Sequence, residues 1–189
     1  MKLKVDFNRD PNQGQMMPVE RMAMYNAVLS EKPKRMLEIG TWKGGGSTYI
    51  LACAAYEIGS TLYTIEADKG FYEAALKLYD ERMNILIPHV KFNLGYSQDV
   101  IPELLKDGGF DFVLFDGKED PEQTVAEYDL LNIHLNLGSM IACHDWKTSK
   151  MAKLKDVIAN DNTWYPMVSI TNTPTGFMMF TRPMPCSPV

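Results

Sequence analysis

The sequence predicts a doubly wound α/β fold: a mostly parallel, seven-stranded sheet that ends in an antiparallel C-terminal hairpin. Two observations predict it. From Arg35 to Ala159, short runs of aliphatic, aromatic and β-branched residues alternate with stretches of helix length, as in parallel strands joined by crossovers. The last two strand-like runs are then joined only by Thr171-Asn172-Thr173-Pro174-Thr175, too short for a helical crossover, so they must pair antiparallel.

Taken in order, a polar segment from Asn8 to Gln15 precedes a helical pattern from Pro18 to about Ser30, with Met22, Tyr25 and Val28 at helical spacing. Pro33 breaks that helix, and Arg35 to Ile39 reads as a short buried strand running into Gly40. A helix from about Gly45 to Tyr56 leads to the strand Thr61 to Glu66, then a helix from Lys69 to Met83 and the strand His89 to Leu94. The alternation continues with a helix Ser97 to Lys106, the strand Phe110 to Phe115, a helix Pro121 to Leu135, the strand Ser139 to Cys143 and a helix Ser149 to Ala159. Trp164 to Ile170 and Gly176 to Thr181 form the hairpin.

No linker, repeat or low-complexity tract divides the 189 residues, so residues 1–189 read as one domain with 1–17 as an N-terminal segment. The hydrophobic share of 46% supports a packed core. A net charge of -5 argues against broad attraction to nucleic acid, which relies on surplus Lys and Arg. Cys53, Cys143 and Cys186 are odd in number, widely spaced and form no zinc pattern, which reads as reduced thiols in a cytoplasmic protein. Met1 to Asp10 lacks the apolar run of a signal peptide, and no stretch of about 18 apolar residues suggests a membrane span.

In such sheets, ligands bind beyond the carboxyl ends of the strands, and here the first strand-to-helix turn is Glu38 to Ser47. Its glycines let a ligand approach main-chain N–H groups. The spacing after Gly40 fits neither the dinucleotide fingerprint nor the P-loop, which disfavours a nicotinamide oxidoreductase. An acid at Glu38 would repel a pyrophosphate and can pair with a cationic amino group, so the turn suggests a zwitterion. Glu66 ends the second strand, where an acid can accept from both hydroxyls of a ribose.

The spacing Glu38, Gly40, Gly44, followed by Glu66, resembles the first two motifs of the class I S-adenosylmethionine-dependent methyltransferases, and within them the small-molecule O-methyltransferases of the catechol O-methyltransferase type. The resemblance spans about Gln13 to Arg182 and implies the Rossmann-like methyltransferase fold with S-adenosylmethionine as cofactor. It implies that Glu38, Gly40, Thr41, Gly44, Ser47, Glu66 and Ala67 hold that cofactor, with Asp116 at its edge. Gly95 to Pro102 is similar to the adenine-binding segment, which places Ser97 and Gln98 at the base; without the family, Ser97 reads as a helix cap.

In that family the fourth and fifth strand ends supply a divalent cation site, and Asp116, His144 and Asp145 fall on its positions. A histidine there departs from the family pattern and suits manganese, iron or zinc better than magnesium. The metal-free alternative pairs His144 with Asp145 and leaves the imidazole as a general base. The family's catalytic lysine lies three residues after its first metal aspartate; Lys118 lies two after Asp116, with Glu119 in the expected place, so Lys118 is either a base or a solvated lysine. Trp42, Lys43 and Trp146 either wall a planar acceptor or serve packing, and Gln13 to Met17 is similar to a segment that could lid it. The function implied is methylation of a hydroxyl on a small-molecule acceptor, against a non-catalytic cofactor-binding module. Homodimer pairing through the hairpin is left open.

Overall fold

The structure, a computed structural model, describes residues 3–8 and 15–184. Its elements run α1 (Pro18–Glu31), β1 (Arg35–Ile39), α2 (Ser47–Ile58), β2 (Thr61–Glu66), α3 (Lys69–Arg82), β3 (Val90–Leu94), α4 (Ser97–Leu105), β4 (Phe112–Phe115), α5 (Pro121–Asn132), β5 (Met140–His144), α6 (Ala152–Asn160), β6 (Tyr165–Ile170) and β7 (Phe177–Thr181). Short 3-10 turns at Asn84–His89 and Ser149–Met151 lead into β3 and α6. Every expected element is present, within a few residues of its expected ends.

The seven strands lie in the order β3-β2-β1-β4-β5-β7-β6. The first five are parallel, and β7 runs antiparallel to both β5 and β6. The order reverses between β1 and β4, so the loops after these strands part and leave a crevice at their carboxyl ends.

Strand residues alternate between two apolar layers. Met36 joins the layer under α1, α2 and α3, while Leu37 and Ile39 join the layer under α4, α5 and α6. Central strands covered on both faces are apolar throughout, as Phe112 to Phe115 are, all at 0% exposure. Glu38, also at 0% exposure, interrupts this pattern. Among the described residues no helix is long and apolar enough to cross a membrane.

Two local devices fix the ends of elements. Asp111, expected inside β4, precedes it and accepts the main-chain N–H groups of Lys34 and Arg35 at 2.9 and 3.1 Å, tying the entries of β1 and β4 together. Asp120 caps α5 by accepting from the N–H groups of Glu122 and Gln123. Cys53 and Cys143 are buried, and burial pushes the Cys143 thiol up to about 12; Cys186 lies outside the described residues.

Candidate active site

A cavity of about 530 Å³ occupies the crevice where the strand order reverses. The loops after β1, β2, β3, β4 and β5 all contribute to its wall. Gly40 at the end of β1 has φ +100, and a Cβ there would lie 2.2 Å from the main-chain oxygen of Asp116. Only glycine permits the two strand ends to close to this distance.

One end of the cavity is formed by Gly40, Thr41, Trp42, Ser47, Glu66, Ala67, Ser97 and Gln98. Glu66 Oε2 accepts from the Trp42 N–H at 2.7 Å and Oε1 from the Asp68 N–H at 2.9 Å. These bonds hold the carboxylate still and leave lone pairs on both oxygens for a ligand. Trp42, at φ 48, packs edge-on against Phe71, and both rings line the cavity. Ser97 is not the cap of α4, which is Tyr96; its hydroxyl donates instead to Glu127 Oε1 at 2.5 Å. Burial raises the Glu127 carboxyl above its ordinary range, against the hydrogen bonds from Ser97 and Gln123.

Two residues expected to touch a cofactor do not open onto the cavity. Glu38 is fully buried and absent from its wall, because strand alternation turns it to the α2 side of β1. Its Oε2 accepts from Thr64 Oγ1 at 2.7 Å, and Thr64 in turn shares a short hydrogen bond with Thr41. Burial raises Glu38 from 4.5 to about 7, against the hydroxyls of Ser47, Thr48 and Thr64 and with the charge of Asp116 adding to the rise. Glu38 therefore acts on the loop through Thr64 and Thr41. Gly44 faces α3, where an added Cβ would meet Ala75 Cβ at 3.0 Å; its role is close packing.

The other end holds a buried cluster of charges. Asp116, His144 and Asp145 come together as the sequence suggests, with potential ligand atoms all within 4.8 Å. His144 Nδ1 donates to Asp116 Oδ1 at 2.9 Å, and its Nε2 faces Glu20 Oε2 at 3.6 Å. Lys150 stands among them: its Nζ donates to Asp145 Oδ2 at 2.6 Å, Asp116 Oδ1 at 3.1 Å and Gly117 O at 3.4 Å.

Electrostatics follow from this packing. Burial alone would lower His144, but the charge and hydrogen bond of Asp116, with Glu20 and Asp145, raise it to about 10. Burial would raise Asp116 and Glu20, yet the His144 and Lys150 charges hold Asp116 low, and hydrogen bonds from His144, Thr173 and the Met17 N–H hold Glu20 low. Lys150 is raised although burial opposes its charge, because Asp116 and Asp145 face it. These partners favour the imidazolium form of His144, the form that cannot accept a proton as a general base.

Lys118, the other candidate base, is 70% exposed at the rim and pairs with Asp120 at 3.6 Å. Trp146 turns away from the cavity, since Asp145 takes φ 59, and packs against Phe180 beside Lys155. Lys43 lies over the Trp42 ring at 4.7 Å and is not part of the wall. Gln15 and Met16 do border the cavity, while Gln13 and Gly14 of the expected lid lie outside the described residues.

A divalent cation needs carboxylate oxygens free to bind it and an imidazole nitrogen without a proton. Here the Lys150 ammonium already takes an oxygen from each aspartate, and the His144 Nδ1 proton points at Asp116. The residues as they stand do not fit a resident divalent ion.

Sequence reasoning missed Glu20, Lys150 and Thr173. Glu20 reads as an ordinary first-turn acid, and it does accept from the Met17 N–H at 2.8 Å; nothing local shows that it also reaches His144. Lys150 opens a polar helix start, where a lysine is normally solvated. Its one signal is position, five residues beyond the strand-end Asp145.

A family model described as a methyltransferase domain matches residues 37–146, more than half of the chain. The chain belongs to this methyltransferase domain family. No curated protein matches it. Its fold is similar to the O-methyltransferase TomG of Streptomyces achromogenes, solved with SAM and involved in tomaymycin synthesis (TM-score 0.72, 18% identity, covering 92% of this chain and 83% of that one). It is also similar to an O-methyltransferase of Bacillus cereus in complex with SAH (TM-score 0.70, 17% identity, covering 88% and 82%). A third similar fold is an SAH-bound methyltransferase of Podospora anserina (TM-score 0.69, 17% identity, covering 92% and 82%). At these identities the likeness establishes the shared fold.

Proposed function

We propose that the protein transfers the methyl group of S-adenosylmethionine to a hydroxyl of a small molecule. The observation that carries this reading is the cavity at the strand reversal, lined both by a fixed carboxylate, Glu66, and by the buried charge cluster of Asp116, His144, Asp145 and Lys150. Membership in the methyltransferase domain family and the fold shared with SAM- and SAH-bound proteins support the choice of donor.

Glu66 is placed to accept from the ribose hydroxyls, while the main chain of Gly40 and Thr41 and the Ser47 side chain border the amino-acid end. Ser97 and Gln98 border the base. Asp116, held ionised by His144 and Lys150, is the acid on the wall that can take the donor's ammonium, the role expected of Glu38.

Carboxyl groups outnumber the cationic His144 and Lys150 in this cluster, which leaves an excess of negative charge. A cationic donor balances it. When bound, the donor supplies an electrophilic methyl carbon, which passes to an acceptor oxygen as the carbon–sulfur bond breaks and the hydroxyl proton leaves to solvent. The chain's part is to align that oxygen and, through the positive charges of His144 and Lys150, to favour its deprotonated form. Acidic hydroxyls, such as phenols, suit a site that sets the positive charges of His144 and Lys150 beside the acceptor.

Titration calorimetry with SAM and SAH, followed by methyl-transfer assays on phenols, catechols and sugars, tests this. Absence of donor binding refutes the reading outright. Donor binding without consumption across the panel shows a binding module instead.

A further inference from the structure

Resting on that reading of the cavity, we propose that Lys150 is the resident cation of the acceptor end: its ammonium takes the place between Asp116 and Asp145 that a divalent ion would occupy, and methyl transfer here runs without a metal. The ammonium has three protons and three acceptors, Asp145 Oδ2 at 2.6 Å, Asp116 Oδ1 at 3.1 Å and Gly117 O at 3.4 Å. Its side chain is 2% exposed, with Glu119 Oε1 a further 3.8 Å neighbour. A long, flexible cation held this way is specified by its surroundings, since burying it unpaired would be prohibitively costly.

The local chain is shaped to deliver it. Asp145 adopts a left-handed conformation at φ 59, and both the N–H and hydroxyl of Thr148 donate to the Asp145 carbonyl, at 2.9 and 3.0 Å. This turn folds the 3-10 segment Ser149–Met151 back under the end of β5 and aims Lys150 into the gap. Lys150 lies four residues beyond the stretch 37–146 matched by the methyltransferase domain family.

A divalent ion bound to these aspartates would need their oxygens at about 2.0–2.6 Å, within the space the ammonium fills and beside its positive charge. Asp116 Oδ1 already receives both Lys150 and His144 Nδ1. Because all three protons are engaged, Lys150 is a positioning residue: it holds the two aspartates together and adds charge, without donating to the acceptor. A saturated ammonium has no open coordination positions. Two vicinal oxygens therefore gain no chelate advantage over one, and the acceptor class widens from catechol-like diols to single acidic hydroxyls.

The test uses the full chain after dialysis against a chelator, with Mn2+ alone as probe, read by the electron paramagnetic resonance signal of the free ion. Wild type is expected to leave the Mn2+ signal undiminished. Folded Lys150→Met, which removes the charge and keeps the length, is expected to take up one equivalent through Asp116 and Asp145, and Lys150→Arg none. Stoichiometric Mn2+ uptake by wild type overturns the proposal, and so does a folded Lys150→Met that takes up none. If Lys150→Met does not fold, the wild-type measurement decides. Where donor binding has been shown, chelator-treated enzyme should keep its turnover, and a tenfold gain on adding Mn2+ or Mg2+ overturns the proposal. Failure to bind the donor leaves the Mn2+ result intact and refutes only the functional reading.

Discussion

Replacing Glu38 by glutamine isolates the cost of a buried acid in the central strand. Glu38 is 0% exposed, and its pKa rises from 4.5 to about 7, chiefly through burial. A folded-state pKa above the unfolded value means that the folded protein binds the proton more tightly. The associated stability is fully present below pH 4.5 and is lost as the pH climbs through about 7. Each pH unit between the two values is worth about 1.4 kcal/mol, so the whole loss is about 3 kcal/mol. Full burial leaves no solvent screening to discount. Glutamine keeps the size and an acceptor for Thr64 Oγ1 but cannot ionise. Urea unfolding of both proteins between pH 4.5 and 8 should show the difference in stability moving in favour of Glu38→Gln by about 3 kcal/mol as pH rises. A difference that stays flat across that range would refute the reasoning, because it would mean that burial does not hold the proton.

Further outcomes follow from the same geometry. Gly40→Ala sets a Cβ 2.2 Å from the Asp116 carbonyl oxygen at φ +100, and should cost more than about 4 kcal/mol, seen as loss of soluble folded protein in thermal melts. Glu66→Ala removes a charge-assisted acceptor and should weaken donor binding about ten- to a hundred-fold by calorimetry, with the fold retained. Tyr128→Phe strips the acceptor from the buried Trp164 Nε1, now 2.8 Å from the hydroxyl, and should lower unfolding free energy by about 1–3 kcal/mol.

Much of the fold was legible because strand and helix periods are local. The sheet ends at Ile39, Glu66, Phe115 and His144 follow from short apolar runs closed by glycine or acid, and parallel direction then places their loops together. The direction of one side chain was harder. In a strand covered on both faces, every position reads as buried, so Glu38 could face the crevice or α2 with the same sequence pattern; only the packing of Thr41 and Thr64 decides. Trp146 was open between wall and packing for a related reason: the left-handed Asp145 just before it turns the ring onto Phe180, which no local pattern announces. Lys150 and Glu20 were invisible because their partners lie on other elements: Glu20 meets Thr173 and His144, at the far end of the sequence from α1.

The two ends of the cavity differ in where their parts come from. Gly40, Thr41, Glu66, Ser97 and Gln98, which we propose hold the donor, all lie within the stretch 37–146 matched by the methyltransferase domain family. The partners that set the charge of the other end, Glu20, Lys150 and Thr173, lie outside it, on α1, on the turn before α6 and on the β6–β7 connection. A donor of fixed chemistry needs one set of contacts, whereas acceptors vary, so changes in substrate are accommodated where they leave the donor contacts alone. Thr173 and Glu20 also join the hairpin turn to α1 behind His144, so a change in either moves the imidazolium without touching Glu66. Acceptor preference can thus change at this end with the hydrogen bonds that hold Glu66 left in place.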